Sequence, residues 1–189
     1  MKWIAWFLLP SLLLAQPPTN VAQLYRLADS LAAELLRALP QVHSLQLRVV
    51  PHPAAWLLEH ALARQAEQFG VAIVLADSAQ VSLELAIVEV GIRYDPLPDG
   101  LLRRSAQLLV SALLRSLPAA AIHPLPLYRM VLVDTLPRRT LPAVEQPEYP
   151  FATAPVAEER SLWRELLEPA IATIAGGLLL VLLFTLRSP

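Results

Sequence analysis

The sequence contains no cysteine. Disulfides, a thiol nucleophile, cysteine-ligated zinc or iron–sulfur sites and lipid attachment through cysteine are therefore all excluded. Glycine is scarce, at 5 residues, and neither GxGxxG nor GxxxxGK[ST] occurs, so no glycine-rich phosphate cradle is present. Lysine does not recur after Lys2, which removes a Schiff-base or phosphate-loop lysine from everything downstream. The serines Ser30, Ser44, Ser78, Ser82, Ser105 and Ser111 lack the GxSxG setting of a nucleophile elbow. The histidines His43, His52, His60 and His123 lack metal-pair spacing; the adjacent Glu59 and His60 fall on different sides of a helical turn. Asp77, Glu84, Glu89, Asp95 and Asp99 are scattered, and their spacing proposes no paired-acid chemistry. Charged residues amount to 16%, against about 25% in ordinary soluble domains. A net charge of −1 excludes a charge-driven nucleic-acid binder.

Apolar residues are abundant instead, at 56%, and they concentrate at the two ends. Lys2 precedes an apolar run from Trp3 to Ala15. That run is too short to cross about 30 Å of hydrocarbon at about 1.5 Å per residue. A cation followed by a short apolar run is the pattern of a secretory signal, here residues 1–15, with cleavage after Ala15. An uncleaved amino-terminal anchor is the alternative. The run from Pro169 to Leu186 carries no charge and reaches about 27 Å as a helix, enough to span. Trp163 and Arg164 precede it, where interfacial aromatics and snorkelling cations sit. A secretory start and a stop-transfer segment together place residues 16 to about 165 outside the cytoplasm.

The middle reads as one small domain over residues 16–135. Val21, Leu24, Leu27, Leu31, Leu35 and Leu39 recur at helical steps, with Asn20 as N-cap and Pro40 as stop. LQLRVV (45–50) alternates as a strand, and residues 54–69 form a second helix with Trp56, Leu57, Ala61, Leu62 and Phe69 toward its apolar side. Gly70 suits a left-handed C-terminal cap. VAIVL (71–75) reads as a strand buried on both faces. Residues 81–94 alternate up to Ile87 and change phase at Val88, which predicts a β-bulge there. DPLPDG (95–100) is a turn, and Leu102, Arg104, Ala106, Leu108, Val110, Ala112 and Leu114 share the inward face of a return strand. A helix over 102–117 is the alternative. Tyr128 to Thr135 closes the sheet. The fold class is α/β in the α+β sense: two helices on one face of a mixed four- to five-stranded sheet, plus a C-terminal transmembrane helix.

Residues 136–160 carry prolines 137, 142, 147, 150 and 155 and no sustained apolar period. They read as an extended stalk, which at about 3.1 Å per residue reaches roughly 70 Å. Tyr149 and Phe151 are its candidate docking residues. A short juxtamembrane helix, Ser161 to Glu168, opens the anchor segment 161–189. Arg93, Arg103 and Arg104 flank the DPLPDG turn and form a candidate partner-binding cluster through their guanidinium groups.

The order LADSLAAELLRAL, LQLRVV, a helix ending in FG, VAIVL and a long strand ending GIRY resembles small extracytoplasmic domains of bacterial envelope assembly proteins. The amino-terminal domain of TolB and the related FlgO and CsgG-type domains share it, over about residues 20–115. The C-terminal run from LEP to LFTLRS is similar to membrane-anchored proteins of Bacteroidetes–Chlorobi type bacteria. The secretion proteins of that kind are soluble or lipid-anchored, whereas this chain has no lipidation cysteine and has an apolar run in its place; no functional residue carries across.

Together these features point to a single-pass inner-membrane protein with a periplasmic domain. Its partners are the lipid bilayer, through the C-terminal helix, and an envelope protein bound by strand addition at a sheet edge. No nucleic acid, cofactor, metal or catalytic residue is implied, and the expected function is non-enzymatic assembly, transport or scaffolding. The alternative is an envelope ligand-binding module or enzyme whose site the sequence does not display.

Overall fold

The computed structural model describes residues 16–39, 42–74, 79–116 and 121–156. The chain divides into two compact units, Met1–Pro155 and Val156–Pro189. The signal segment 1–15, the juxtamembrane helix and the 169–186 span lie outside the described residues. Among the described residues, no helix is long and apolar enough to cross a membrane.

The first unit is a mixed sheet with helices on one face. Its elements are α1 (Asn20–Ala38), β1 (Ser44–Val49), α2 (Ala55–Gln68), β2 (Ala72–Val74), β3 (Val81–Leu97), β4 (Leu101–Ser116), β5 (Ile122–Pro124), β6 (Tyr128–Pro137) and α3 (Leu141–Val144). Strand order is β2-β1-β3-β4-β5, and β6 also pairs with β4. The sheet therefore has six strands rather than four or five; the added β5 is three exposed residues bounded by prolines, too short to show a period. The β1–β2 and β1–β3 pairs are parallel, and all pairs of β4 are antiparallel.

The helices form where the apolar spacing demands. Leu24, Leu27, Leu31 and Leu35 of α1 and Leu57, Leu58, Ala61 and Leu62 of α2 are buried. Each fully buried leucine contributes about 1.5–3 kcal/mol of transfer free energy. The helix α1 lies over β4 and β6, α2 lies over β1 and β2, and the helices pack on each other, so they share a face. The N-cap of α1 is Thr19, whose hydroxyl accepts from the Ala22 amide (3.2 Å), not Asn20. At Gly70 (φ 67) the amides of Gly70 and Val71 close onto the carbonyls of Glu67 and Ala66. That is a Schellman stop, and it needs a left-handed residue. Phe69 is not in the core; it is 41% exposed, with the Arg37 guanidinium 5.8 Å above its ring.

The β3–β4 hairpin is the long axis of the sheet. Its turn is only Pro98–Gly100, with Asp99 (φ 61) and Gly100 (φ 69) left-handed, so the strands run further into the DPLPDG segment than its composition implies. The register shifts between Ile87 and Glu89, leaving Val88 as the extra residue, as its phase predicts. Residues 102–116 are strand, and every alternate residue from Leu102 to Leu114 is buried. The strand β2 is not buried on both faces: it ends the sheet, and Ala72 is exposed.

The stalk expectation fails over its described part. Residues 136–137 complete β6, Arg138–Thr140 and Pro150–Ala152 form 3-10 turns, and α3 lies between them. Val144 and Ala152 are fully buried, and the Pro150–Ala152 turn packs on β3 and α1. The prolines here start short helical turns instead of sustaining an extended run, because proline fits the first turn of a helix without losing a bond.

Candidate functional site

Beyond Leu85 the strand β3 has no β1 partner, and the half of the sheet built by β3, β4 and β6 holds all three arginines singled out in the sequence. Three features occupy it: a buried latch on the helix side, a charged dish on the bare side, and an open edge along β6.

Arg104 makes the latch. It lies opposite Tyr94 and Asp134 in register and is 1% exposed. Its Nε donates to Asp134 Oδ1 (2.8 Å) and its Nη2 to Asp134 Oδ2 (2.5 Å), a two-pronged pair. Its Nη1 donates to the Pro18 carbonyl (2.8 Å) and to Asn20 Oδ1 (3.0 Å). Asn20 Nδ2 donates to Tyr94 Oη and to the Ala152 carbonyl, both at 2.7 Å. Gln23 Nε2 adds a bond to Asp134 Oδ2 (2.9 Å). Arg104 thus joins β4 to β6 and to the entry of α1, and Asn20 extends the network to β3 and the returning segment. Burial pushes the Tyr94 phenol above its ordinary pKa, against the opposing Asn20 hydrogen bond.

This location separates Arg104 from Arg93 and Arg103. Those two point to the helix-free face, where Arg93 Nε and Arg103 Nη2 donate to the two oxygens of Asp95 at 3.0 and 3.2 Å. Desolvation works to raise the Asp95 pKa, but the hydrogen bonds from Arg103 and then Arg93 outweigh it and hold the carboxyl below its ordinary value. These groups, with Ser105, Gln107, Val131 and Val133, line an open depression of about 410 Å³. Its ion pairs are solvated and screened, so they add little to stability.

Tyr149 and Phe151 lie on the returning segment against the helices. The Tyr149 ring centroid is 5.7 Å from that of Trp56 and 5.8 Å from that of Phe151. Trp56 in turn meets Tyr25 at 5.3 Å and His60 at 5.9 Å, and Tyr25 Oη lies 3.1 Å from His60 Nδ1. The two rings thus join a half-exposed aromatic row that clasps the segment to α1 and α2. Sequence spacing could not place Tyr25 and Trp56 beside residue 149, because they meet only through the fold.

The β6 edge has a definite polarity. The Ser116 amide donates to the Ala121 carbonyl and the Leu125 amide to the Ala112 carbonyl, both at 3.0 Å. In an antiparallel ladder both backbone groups of a residue point the same way, and successive residues alternate. The even-numbered residues of β4 therefore bond toward β5 and β6. In the observed register, Tyr128, Met130, Leu132, Asp134 and Leu136 bond inward. Arg129, Val131, Val133 and Thr135 turn their amides and carbonyls outward, and no strand among the described residues receives them. Their side chains share the helix-free face, where Val131 and Val133 are 53% and 55% exposed. The alternation of β6 was readable in the sequence; its edge position was not.

No protein-family profile matches the chain, and no curated protein is similar to it at a significant level. Several solved structures are similar to it, two bacterial lipoproteins among them. One is a minor lipoprotein from Acinetobacter baumannii, 17% identical, covering 52% of this chain and 69% of that one at TM-score 0.33. The other is lipoprotein GNA1162 from Neisseria meningitidis, 10% identical, covering 70% of this chain and 98% of that one at TM-score 0.33. Likeness at these scores carries no functional argument, and it does not extend to the specific resemblances to TolB, FlgO or CsgG-type domains.

Proposed function

We propose that this chain is an exported docking protein of a bacterial envelope. It is held in the inner membrane by the 169–186 segment and works through protein contacts outside the cytoplasm, without catalysis. Three properties support the reading. The apolar segments at the two ends differ in length as a signal and a span should. The polar side chains that come together in the described unit bond to one another rather than converging on an enclosed cavity. The ten-residue strand β6 offers an open edge beside two exposed valines.

The open edge is the observation that carries the proposal. Edge strands are normally blunted by brevity, bulges, proline or inward-pointing charge. Over Arg129–Thr135 the strand is neither bulged nor interrupted by proline, which enters only at Pro137, and the inward-pointing charge of Asp134 is neutralised by Arg104; Arg129 is the one charge on the outward side. Such an edge is suited to adding an extended strand from a partner.

Photo-crosslinking in intact cells tests it. A benzophenone residue replacing Val131 or Val133 in the full chain should give discrete protein adducts. The same group replacing Glu59, exposed on α2, should give none. Equal labelling from all three positions, or labelling from Glu59 alone, overturns the proposal.

A further inference from the structure

The outward groups of β6 favour one occupant, and we infer that it is the β6 strand of a second copy of this chain. The inference rests on the docking function proposed for the same edge and names its partner. The outward parity limits the ways two β6 strands can pair antiparallel. Residues with outward backbone groups must oppose one another, so odd-numbered positions face odd-numbered positions across a twofold axis.

Three central registers satisfy that condition, and side-chain chemistry separates them. An axis at Val131 sets Val133 against Arg129 of the second copy, so only the two Val131 side chains meet and both exposed Val133 side chains lack an apolar partner. An axis at Val133 sets Arg129 against Pro137, which has no amide to give. An axis at Leu132 sets Val131 against Val133 twice, so all four exposed valines meet in cross-strand pairs. Arg129 then opposes Thr135, and Asp134 opposes Met130. No like charges face each other, and no proline falls within the paired core. The sequence Arg129-Met130-Val131-Leu132-Val133-Asp134-Thr135 is in this sense self-complementary about its centre.

The product is a continuous sheet in the order β2-β1-β3-β4-β6 and its mirror order, with the two charged dishes on the same bare face. A single strand pair buries less than the roughly 800 Å² per partner of a standard stable interface. The dimer is therefore weak in dilute solution and is favoured where tethering to one membrane raises the local concentration.

The absence of cysteine makes the register measurable by oxidation. At the Leu132 axis the two Leu132 residues form a non-hydrogen-bonded pair with Cα atoms about 4.5 Å apart, within disulfide reach. The two Met130 residues are offset by four positions, about 13 Å along the strand, and are out of reach. Full-length chains carrying Leu132→Cys or Met130→Cys are oxidised with copper phenanthroline in native membranes. The expected result is a disulfide-linked dimer from Leu132→Cys, at least about five-fold more abundant than from Met130→Cys. Adding Val131→Arg should abolish it. If Leu132→Cys does not accumulate, co-expressed Arg129→Cys and Thr135→Cys chains, both at exposed positions, should give the mixed dimer and neither self-dimer.

Equal dimer from both single variants means random collision and overturns the register. No dimer from Leu132→Cys, with benzophenone adducts to a different protein at Val131, overturns self-pairing while the docking function stands. No dimer and no adduct overturns both.

Discussion

Replacing Asp134 with alanine leaves Arg104 as an unpaired cation on the core face of β4. Arg104 is 1% exposed, and Asp134, at 29%, is its only charged partner within salt-bridge distance among the described residues. Removing one member of such a pair costs about 3–5 kcal/mol, because the remaining charge stays desolvated. Arg104 keeps its bonds to Pro18 and Asn20, so the low end, about 3 kcal/mol, is expected. With a urea slope of about 2 kcal/mol per molar, the unfolding midpoint falls by roughly 1.5 M. The assay is urea unfolding of the full chain in mild detergent, followed by near-ultraviolet dichroism of the aromatic row. Arg104→Met should also destabilise, since the Pro18 carbonyl and Asn20 Oδ1 lose their donor. The double variant should cost clearly less than the sum, with a coupling of about 1.5 kcal/mol or more, because an apolar replacement of both charges leaves no isolated ion. A coupling below about 0.5 kcal/mol, the range of independent sites, refutes the latch as a paired unit.

Two further outcomes follow from the same geometry. Burial raises the pKa of Tyr94, and of Tyr128 with help from the Glu34 charge, so the folded chain holds both phenolic protons above pH about 10, where the unfolded chain releases them. Their contribution is complete below about pH 10 and declines as pH rises past it; urea midpoints at pH 9 and 11 should converge in the Tyr94→Phe, Tyr128→Phe double variant, and an unchanged difference contradicts the assignment. Deleting Val88, the bulged residue of β3, leaves Ile87, Val90 and Ile92 on the core face, so the chain should still melt cooperatively, whereas deleting Ala106 from unbulged β4 reverses every later side chain and should abolish the transition; equal damage from both deletions would falsify the bulge reading.

What the sequence disclosed was periodic. The α1 stripe, the phase change at Val88 and the buried alternation of β4 each repeat a local rule over many residues, so they survive into the structure. What it hid was spatial. Arg93, Arg103 and Arg104 read as one cluster because they flank one turn, but alternation along β4 sends Arg103 and Arg104 to opposite faces, and only the first joins Asp95. Asn20 reads as a cap because it precedes the periodic run; its amide instead bonds to Tyr94 and Ala152, distant in sequence. The proline-rich run read as a stalk because proline marks both extended chain and the start of helical turns. Which use applies depends on whether a buried surface waits for the segment, as it does for Val144 and Ala152.

The latch and the open edge are mechanically connected. Asp134 lies within β6, with its backbone groups turned toward β4 and its carboxylate held by Arg104 and Gln23 on the helix side. Strand addition is most favourable to an edge already held in ladder geometry, because ordering an incoming strand costs backbone entropy on one side only. The buried pair fixes β6 from behind while leaving the outward groups of Arg129, Val131, Val133 and Thr135 unobstructed among the described residues. An ion pair adds little as a stabiliser when compared with apolar packing of similar volume. Its placement makes sense as a means of orienting this strand: it ties the edge to the entry of α1 and, through Asn20, to the returning segment, so the edge proposed to take a partner strand is already held in ladder geometry.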